Sequence, residues 1–162
     1  MQIAVISDTH MPKGGRRLTD ECVARLRSAD LIIHAGDLIG LEVLNDLRRY
    51  APVKAVHGNV DDAAVKAALP EVATVSAEGV RIEIVHDSGP ARGRLARLRS
   101  RFPDADAVVF GHSHMPLHER DEYGFQIFNP GSPTERRRAP SRTMGMARAY
   151  AGKLTFELVT LG

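Results

Sequence analysis

Gln2-Ile3-Ala4-Val5-Ile6-Ser7-Asp8-Thr9-His10 is a short apolar run that stops on a carboxylate and an imidazole. A run of this length fits a buried β-strand. A loop bearing Gly and Arg follows, from Met11 to Arg17. Thr19 then offers an N-cap, with Asp20 and Glu21 in the first helical turn. Leu18, Cys22, Leu26 and Ala29 mark one apolar face at helical spacing, and Leu31-Ile32-Ile33 is a second buried run. Leu41, Leu44 and Leu47 mark a second helix, stopped at Tyr50-Ala51-Pro52, and Val53 to Val56 is a third strand. Strand, helix, strand, helix, strand in this order predicts an α/β fold with parallel strands.

Further along, Asp61 to Leu69 reads as a short helix closed by Pro70. Val72–Ser76 and Val80–Val85 read as a hairpin around Glu78-Gly79. Ala91–Arg101 reads as a helix that turns Leu95, Leu98 and Phe102 inward and an Arg-rich face to water. Strands are expected at Ala107–Phe110, Phe125–Phe128, Thr143–Tyr150 and Leu154–Thr160, with Gly152 at the last turn. Ser132 to Arg142, rich in Pro, Ser and Arg, is the expected long mobile loop. The 162 residues fit one domain, 1–162.

Composition excludes more than it names. Hydrophobic residues make up 43% of the chain, so a core can form without staples. No apolar run reaches the ~18–20 residues that cross a bilayer. No secretory signal pattern is present, and Cys22 alone cannot close an internal disulfide, so a cytoplasmic setting is expected. Of the 22 basic residues 18 are Arg, but they are spread along the chain and offset by 20 acids, leaving +2. There is no basic stripe interleaved with aromatics, which are 5% of the chain, so a nucleic-acid partner is disfavoured.

The informative residues stand just past the apolar runs. Asp8 and His10 follow the first, Gly36-Asp37 the second, and Gly58-Asn59 the third. His86 follows Val85, and Gly111-His112-Ser113-His114 follows Phe110. Ligands bind beyond the carboxyl ends of parallel strands, so five strand ends would deliver metal-binding side chains to one crevice. Taken singly, an Asp there is more often a turn former and a His more often a packed one. Their joint order is what carries the reading. Imidazole with carboxylate suits Mn²⁺, Fe, Zn²⁺ or Ni²⁺, and the lack of a Cys cluster argues against a closed structural zinc site. Two cations roughly 3.5–4 Å apart need a shared anion, which one carboxylate can supply.

Asp8-Thr9-His10, Gly36-Asp37, Gly58-Asn59-Val60-Asp61, His86, Gly111-His112-Ser113-His114 and Asn129-Pro130-Gly131-Ser132 resemble, in order and spacing, the motifs of the calcineurin-like metallophosphoesterase superfamily. The likeness is to its small YfcE-like phosphodiesterase branch. It implies a metallo-dependent phosphatase fold, an αββα sandwich of two mixed sheets flanked by helices. It implies that Asp8, His10 and His114 hold one divalent ion, that Asn59, His86 and His112 hold a second, and that Asp37 bridges them. Asp37, Asn59, His86 and His112 are then the catalytic candidates. Two ions are implied, Mn²⁺ first, with Ni²⁺, Zn²⁺, Fe or Mg²⁺ as alternatives. The substrate would be a small phosphate ester, and a homo-oligomer is within the family's range.

Two positions depart from the pattern. Val60 stands where many members carry a His that helps protonate the leaving group, which tilts the expectation toward diesters over monoesters. Ser88 replaces the second His of a His-Gly-His motif, beside Asp87. A retromer subunit of this fold serves protein assembly after losing metal ligands, so a non-catalytic scaffold is the competing class. His57 and His118 are candidates for a replacement acid, with packing as the plainer role. His34 is expected to be structural. Arg136, Arg137 and Arg138 are expected to be a solvated loop, with a phosphate clamp as the sharper alternative.

Overall fold

The computed structural model describes residues 1–162. Its first sheet is built from β1 (Gln2–Ile6), β2 (Leu31–His34), β3 (Val53–Ala55), β9 (Arg142–Tyr150) and β10 (Lys153–Leu161). The order is β10-β9-β1-β2-β3, with β1, β2 and β3 parallel and β9 antiparallel to β1. The second sheet holds β4 (Val72–Ala77), β5 (Val80–Val85), β6 (Ala107–Val109), β7 (Leu117–Arg120) and β8 (Gln126–Asn129). Its order is β4-β5-β6-β8-β7, with β5, β6 and β8 parallel.

Alternation along the strands creates the layers. Ile3 and Val5 of β1 pack with Ile82, Ile84, Val109 and Phe128 from the other sheet. Ala4 and Ile6, pointing the opposite way, pack with Leu26, Leu44 and Val65 from α1 (Asp20–Ser28), α2 (Leu41–Arg48) and α3 (Ala63–Ala68). Val108 and Ile127 turn from the inter-sheet core to Leu98 of α4 (Arg94–Arg101). Three apolar clusters between four layers give the expected αββα sandwich. Each fully buried Ile or Leu in them contributes about 1.5–3 kcal/mol.

Local chemistry sets most boundaries. Cys22 N–H donates to Thr19 Oγ1 at 3.2 Å, opening α1 at the expected cap. Glu78 and Gly79 both have positive φ (52° and 77°), the geometry of a two-residue hairpin turn between β4 and β5. Strand ends differ from expectation by a residue or so, and two helix starts and one strand differ for physical reasons. Asp62, whose Oδ1 accepts from Val65 N–H, starts α3 at Ala63 rather than Asp61. Gly93 (φ 70°) delays α4 to Arg94. The edge strand β7 has no counterpart in the sequence reading, because only Leu117 of its four residues is even half-buried. No helix is long and apolar enough to cross a membrane.

Candidate metal centre

Asp8 and His10 follow β1, Asp37 follows β2, Asn59 follows β3, His86 follows β5, and His112 and His114 follow β6. The turns are laced together by backbone hydrogen bonds: Asp8 N–H to Gly36 O and His10 N–H to Asp37 O at 3.0 Å each, and Gly111 N–H to His86 O at 3.0 Å. Five of the seven residues have left-handed backbones: Asp8 (φ 56°), His10 (46°), Asp37 (62°), His112 (73°) and His114 (59°). For side-chain-bearing residues this costs on the order of 1 kcal/mol each, and such strain persists where the surroundings over-determine it.

The side chains form two groups that share Asp37. In the first, Asp8 Oδ1 lies 3.8 Å from His10 Nε2 and 3.4 Å from His114 Nε2. In the second, His86 Nε2 lies 3.0 Å from Asn59 Oδ1, and His112 Nδ1 lies 3.2 Å from the same oxygen. Asp37 Oδ2 stands between them, 3.4 Å from His10 Nε2 and 3.2 Å from His86 Nε2. Its other oxygen, Oδ1, accepts from Val60 N–H at 3.0 Å, which leaves Oδ2 aimed inward.

The donor atoms fit divalent cations. Asp8 Oδ1 and His10 Nε2 are buried with no hydrogen-bond partner, an expensive arrangement unless something occupies the space they face. Asp8 Oδ2 is already satisfied by Ser7 Oγ–H (2.7 Å) and His112 N–H (3.1 Å). His86 donates from Nδ1 to Ala35 O at 2.7 Å, so Nε2 is the ring nitrogen turned toward Asn59 and Asp37 and available to a cation that displaces its proton. Carboxylate, amide oxygen and imidazole together suit a borderline divalent ion.

Electrostatics follow from the crowding. Burial works against ionising Asp37, but the His10 and His86 rings beside Oδ2, at 3.4 and 3.2 Å, hold its carboxyl well below the usual range. Burial likewise opposes protonating His10, yet Asp37 and Asp8 outweigh it and raise its pKa to about 9. His86 is raised for the same reason, against its burial, by Asp37 and Asp8. His114 is lowered, because burial outweighs Asp8.

The backbone around these groups leaves no slack. A Cβ on Gly58 would run into Asp37 Oδ1, and one on Gly111 would run into Ser7 Oγ, with Asp8 Oδ2 2.6 Å away. Asp61, read from sequence as part of a motif and a helix start, is buried and accepts three backbone N–H groups. These are Asp37 (3.0 Å) and Gly58 (2.7 Å) at Oδ2, and Ile39 (2.7 Å) at Oδ1. It pins the two loops that carry Asp37 and Asn59. Asn129 donates from Nδ2 to Gly111 O and Ser113 Oγ, both at 3.2 Å, under the His112–His114 turn.

The secondary candidates sort clearly. His34 accepts from Gly36 N–H at Nδ1 and meets Thr9 Oγ1 through Nε2, and burial lowers its pKa to about 4, so it is a neutral structural residue. His118 donates to Gln126 Oε1 at 2.8 Å and packs on Phe128 and Phe156. Val60 is exposed, and Asp87 Oδ1 accepts from Gly89 N–H in a local turn. Arg136, Arg137 and Arg138 are exposed, but the start of their loop is tied down: Ser132 Oγ–H donates to Asp8 O (2.9 Å) and Thr134 Oγ1–H to Thr9 O (2.8 Å). Beside Asn59 and His86 opens a cavity of about 510 Å³, walled by His57, Lys66, Glu71, Asp87 and Arg101, with Val85 as its apolar residue. Cys22 is buried, which pushes its thiol up to about 12.

Comparison with known proteins places this arrangement. The family model of the calcineurin-like phosphoesterase superfamily domain matches residues 1–151. A "Probable metallophosphoesterase" of Methanothermobacter thermautotrophicus is 33% identical over all of this chain and 94% of its own length. A Thermotoga maritima protein solved in solution is 30% identical, with a TM-score of 0.76 over 99% of both chains. Wild-type Vps29 from Entamoeba histolytica, solved with Zn²⁺, has the same fold: TM-score 0.79 over 99% of both chains at 23% identity.

Proposed function

This chain belongs to the calcineurin-like phosphoesterase superfamily, whose activity is metal-dependent phosphoester hydrolysis, and we propose that it is a phosphodiesterase working with two divalent ions. The observation that carries the reading is Asp37 Oδ2, which is common to a His10 group and a His86 group at 3.4 and 3.2 Å. In this reading Asp8, His10 and His114 hold one ion, Asn59, His86 and His112 hold the other, and Asp37 joins them. Mn²⁺ is the ion we assign, with Ni²⁺, Zn²⁺, Fe or Mg²⁺ able to use the same donors. When bound, such a pair activates a water nucleophile and neutralises the phosphate oxygens during in-line attack.

The chain's own residues set what can react. The bridging carboxylate stays ionised, because its neighbours hold it so. Val60 offers no proton to a departing oxygen, so esters with good leaving groups are favoured, and the diester preference rests on the resemblance. The polar cavity next to Asn59 and His86 receives the organic part of the ester, and its walls suit a hydrophilic group. His57 on that wall is a candidate to protonate a leaving group.

A scaffold role is the second reading, raised by the likeness in fold to Vps29, itself solved with Zn²⁺, so turnover rather than the donor set separates the two. The test is hydrolysis of bis(p-nitrophenyl) phosphate and p-nitrophenyl phosphate by metal-stripped protein with Mn²⁺ restored. Metal-restored turnover favouring the diester is expected. Turnover favouring the monoester would reverse the substrate class, and no turnover from protein holding two ions would favour the scaffold.

A further inference from the structure

Behind His114, on the side away from Asp8, lies Glu135. Its Oε1 is 3.1 Å from His114 Nδ1, while Nε2 of the same ring is 3.4 Å from Asp8 Oδ1. The ring is therefore held between two carboxylates. Both Nδ1 and Oε1 are buried and lack a completed hydrogen bond, so the pair has the separation of one but not its angle. Neither atom has a hydrogen-bond partner elsewhere, and the only other charged group beside Oε1 is the Arg137 guanidinium.

Glu135 is itself braced. Arg16 meets its Oε2 through both Nε (3.0 Å) and Nη2, and Arg137 Nε stands 3.2 Å from Oε1. The segment leading to it is latched over the centre, since Ser132 and Thr134 hydroxyls donate to the backbone oxygens of Asp8 and Thr9. A bare Nε2 toward the ion requires the proton on Nδ1, and metal-binding His residues as a rule give that proton to a carboxylate or carbonyl. His86 gives its own to a backbone carbonyl, Ala35 O.

We propose that Glu135 is a positioning residue of the metal centre, accepting the His114 Nδ1–H so that Nε2 stays bare beside Asp8. A carboxylate in this place also raises the basicity of the imidazole, which strengthens its hold on a cation. Glu135 thus couples the tight seat of His114 to the Arg16 and Arg137 loops. The inference rests on the metal-binding reading above for its purpose, but not for its geometry.

The test has two readouts. The first is the ¹⁵N spectrum of histidine-labelled, metal-free protein at mildly alkaline pH. His114 should show the Nδ1–H tautomer in the wild type and lose that preference in Glu135→Ala. The second is Mn²⁺ titration by calorimetry. Glu135→Ala should weaken one of the two ions about 10–100-fold and leave the other unchanged, with Glu135→Gln, which keeps an acceptor oxygen, in between. Should Glu135→Ala fail to fold, Glu135→Gln decides alone. Wild-type tautomer and wild-type affinity in the variants would overturn the proposal. So would a loss of affinity that only tracks a lower melting temperature of the metal-free protein, with the tautomer unchanged. Wild-type protein that binds no ion at all would sink the proposed function, while the spectrum would still decide the role of Glu135.

Discussion

Asp8, His10 and His114 are 0%, 5% and 1% exposed, whereas across Asp37 a buried His86 (6%) is flanked by Asn59 and His112, which are open to solvent. The buried group keeps Asp8 Oδ1 and His10 Nε2 unpaired. The open group pairs its donors with one another, as Asn59 Oδ1 meets both His86 and His112. Unpaired buried polar atoms cost about 1–3 kcal/mol each, and a bound cation recovers that cost. The open group has less to recover. On the proposed two-ion reading, the contrast makes one face the one that would retain an ion, and the other the one that would exchange with solvent and meet substrate in the adjoining cavity.

The strongest blow to this contrast is at the shared atom. Asp37→Ala should abolish metal-dependent turnover and empty both seats, read by steady-state kinetics and metal content. Loss of a single ion would mean that Asp37 belongs to one group only. Next in size, His114→Ala should abolish the tighter of two Mn²⁺ binding events, and His112→Ala should weaken the looser one about 10–100-fold or more. Calorimetry checks the pair, and the reverse assignment would break the distinction between the faces.

A smaller effect sharpens it by pH. The folded protein raises His10 from 6.5 to about 9, so its protonated form is favoured by the fold. In metal-free protein that stabilisation is complete below 6.5 and is lost as pH climbs through about 9. An incoming cation must displace the same proton, so affinity for the tighter ion should rise by up to roughly tenfold per pH unit over this window. Melting curves of metal-free protein and Mn²⁺ titrations across the range check the two slopes, which should run in opposite directions.

The clustering of the candidate residues was legible because they carry unusual chemistry at recognisable places. Asp8, Asp37, Asn59, His86 and the His112–His114 pair each end an apolar run, and the runs themselves predicted strands. Asp61 and Glu135 were harder to see. An Asp that ties down three backbone amides looks in sequence like any turn or cap residue, and a Glu behind a His ring can be found only by distance. The two-sheet layering came from the family resemblance, since the unbroken apolar run of β1 shows that both its faces are buried but not what covers each. β7 escaped because its polar residues leave no periodic trace. The inequality of the two faces is a matter of tertiary burial, which neither motif nor spacing encodes.

Counting ions against turnover tests the central claim most directly. Metal-stripped protein is titrated with Mn²⁺ while bound metal and bis(p-nitrophenyl) phosphate hydrolysis are followed together. The account predicts little turnover as the first, tighter equivalent fills, and a steep rise as the second fills. Full activity at one ion per chain, or none with both ions bound, would contradict it.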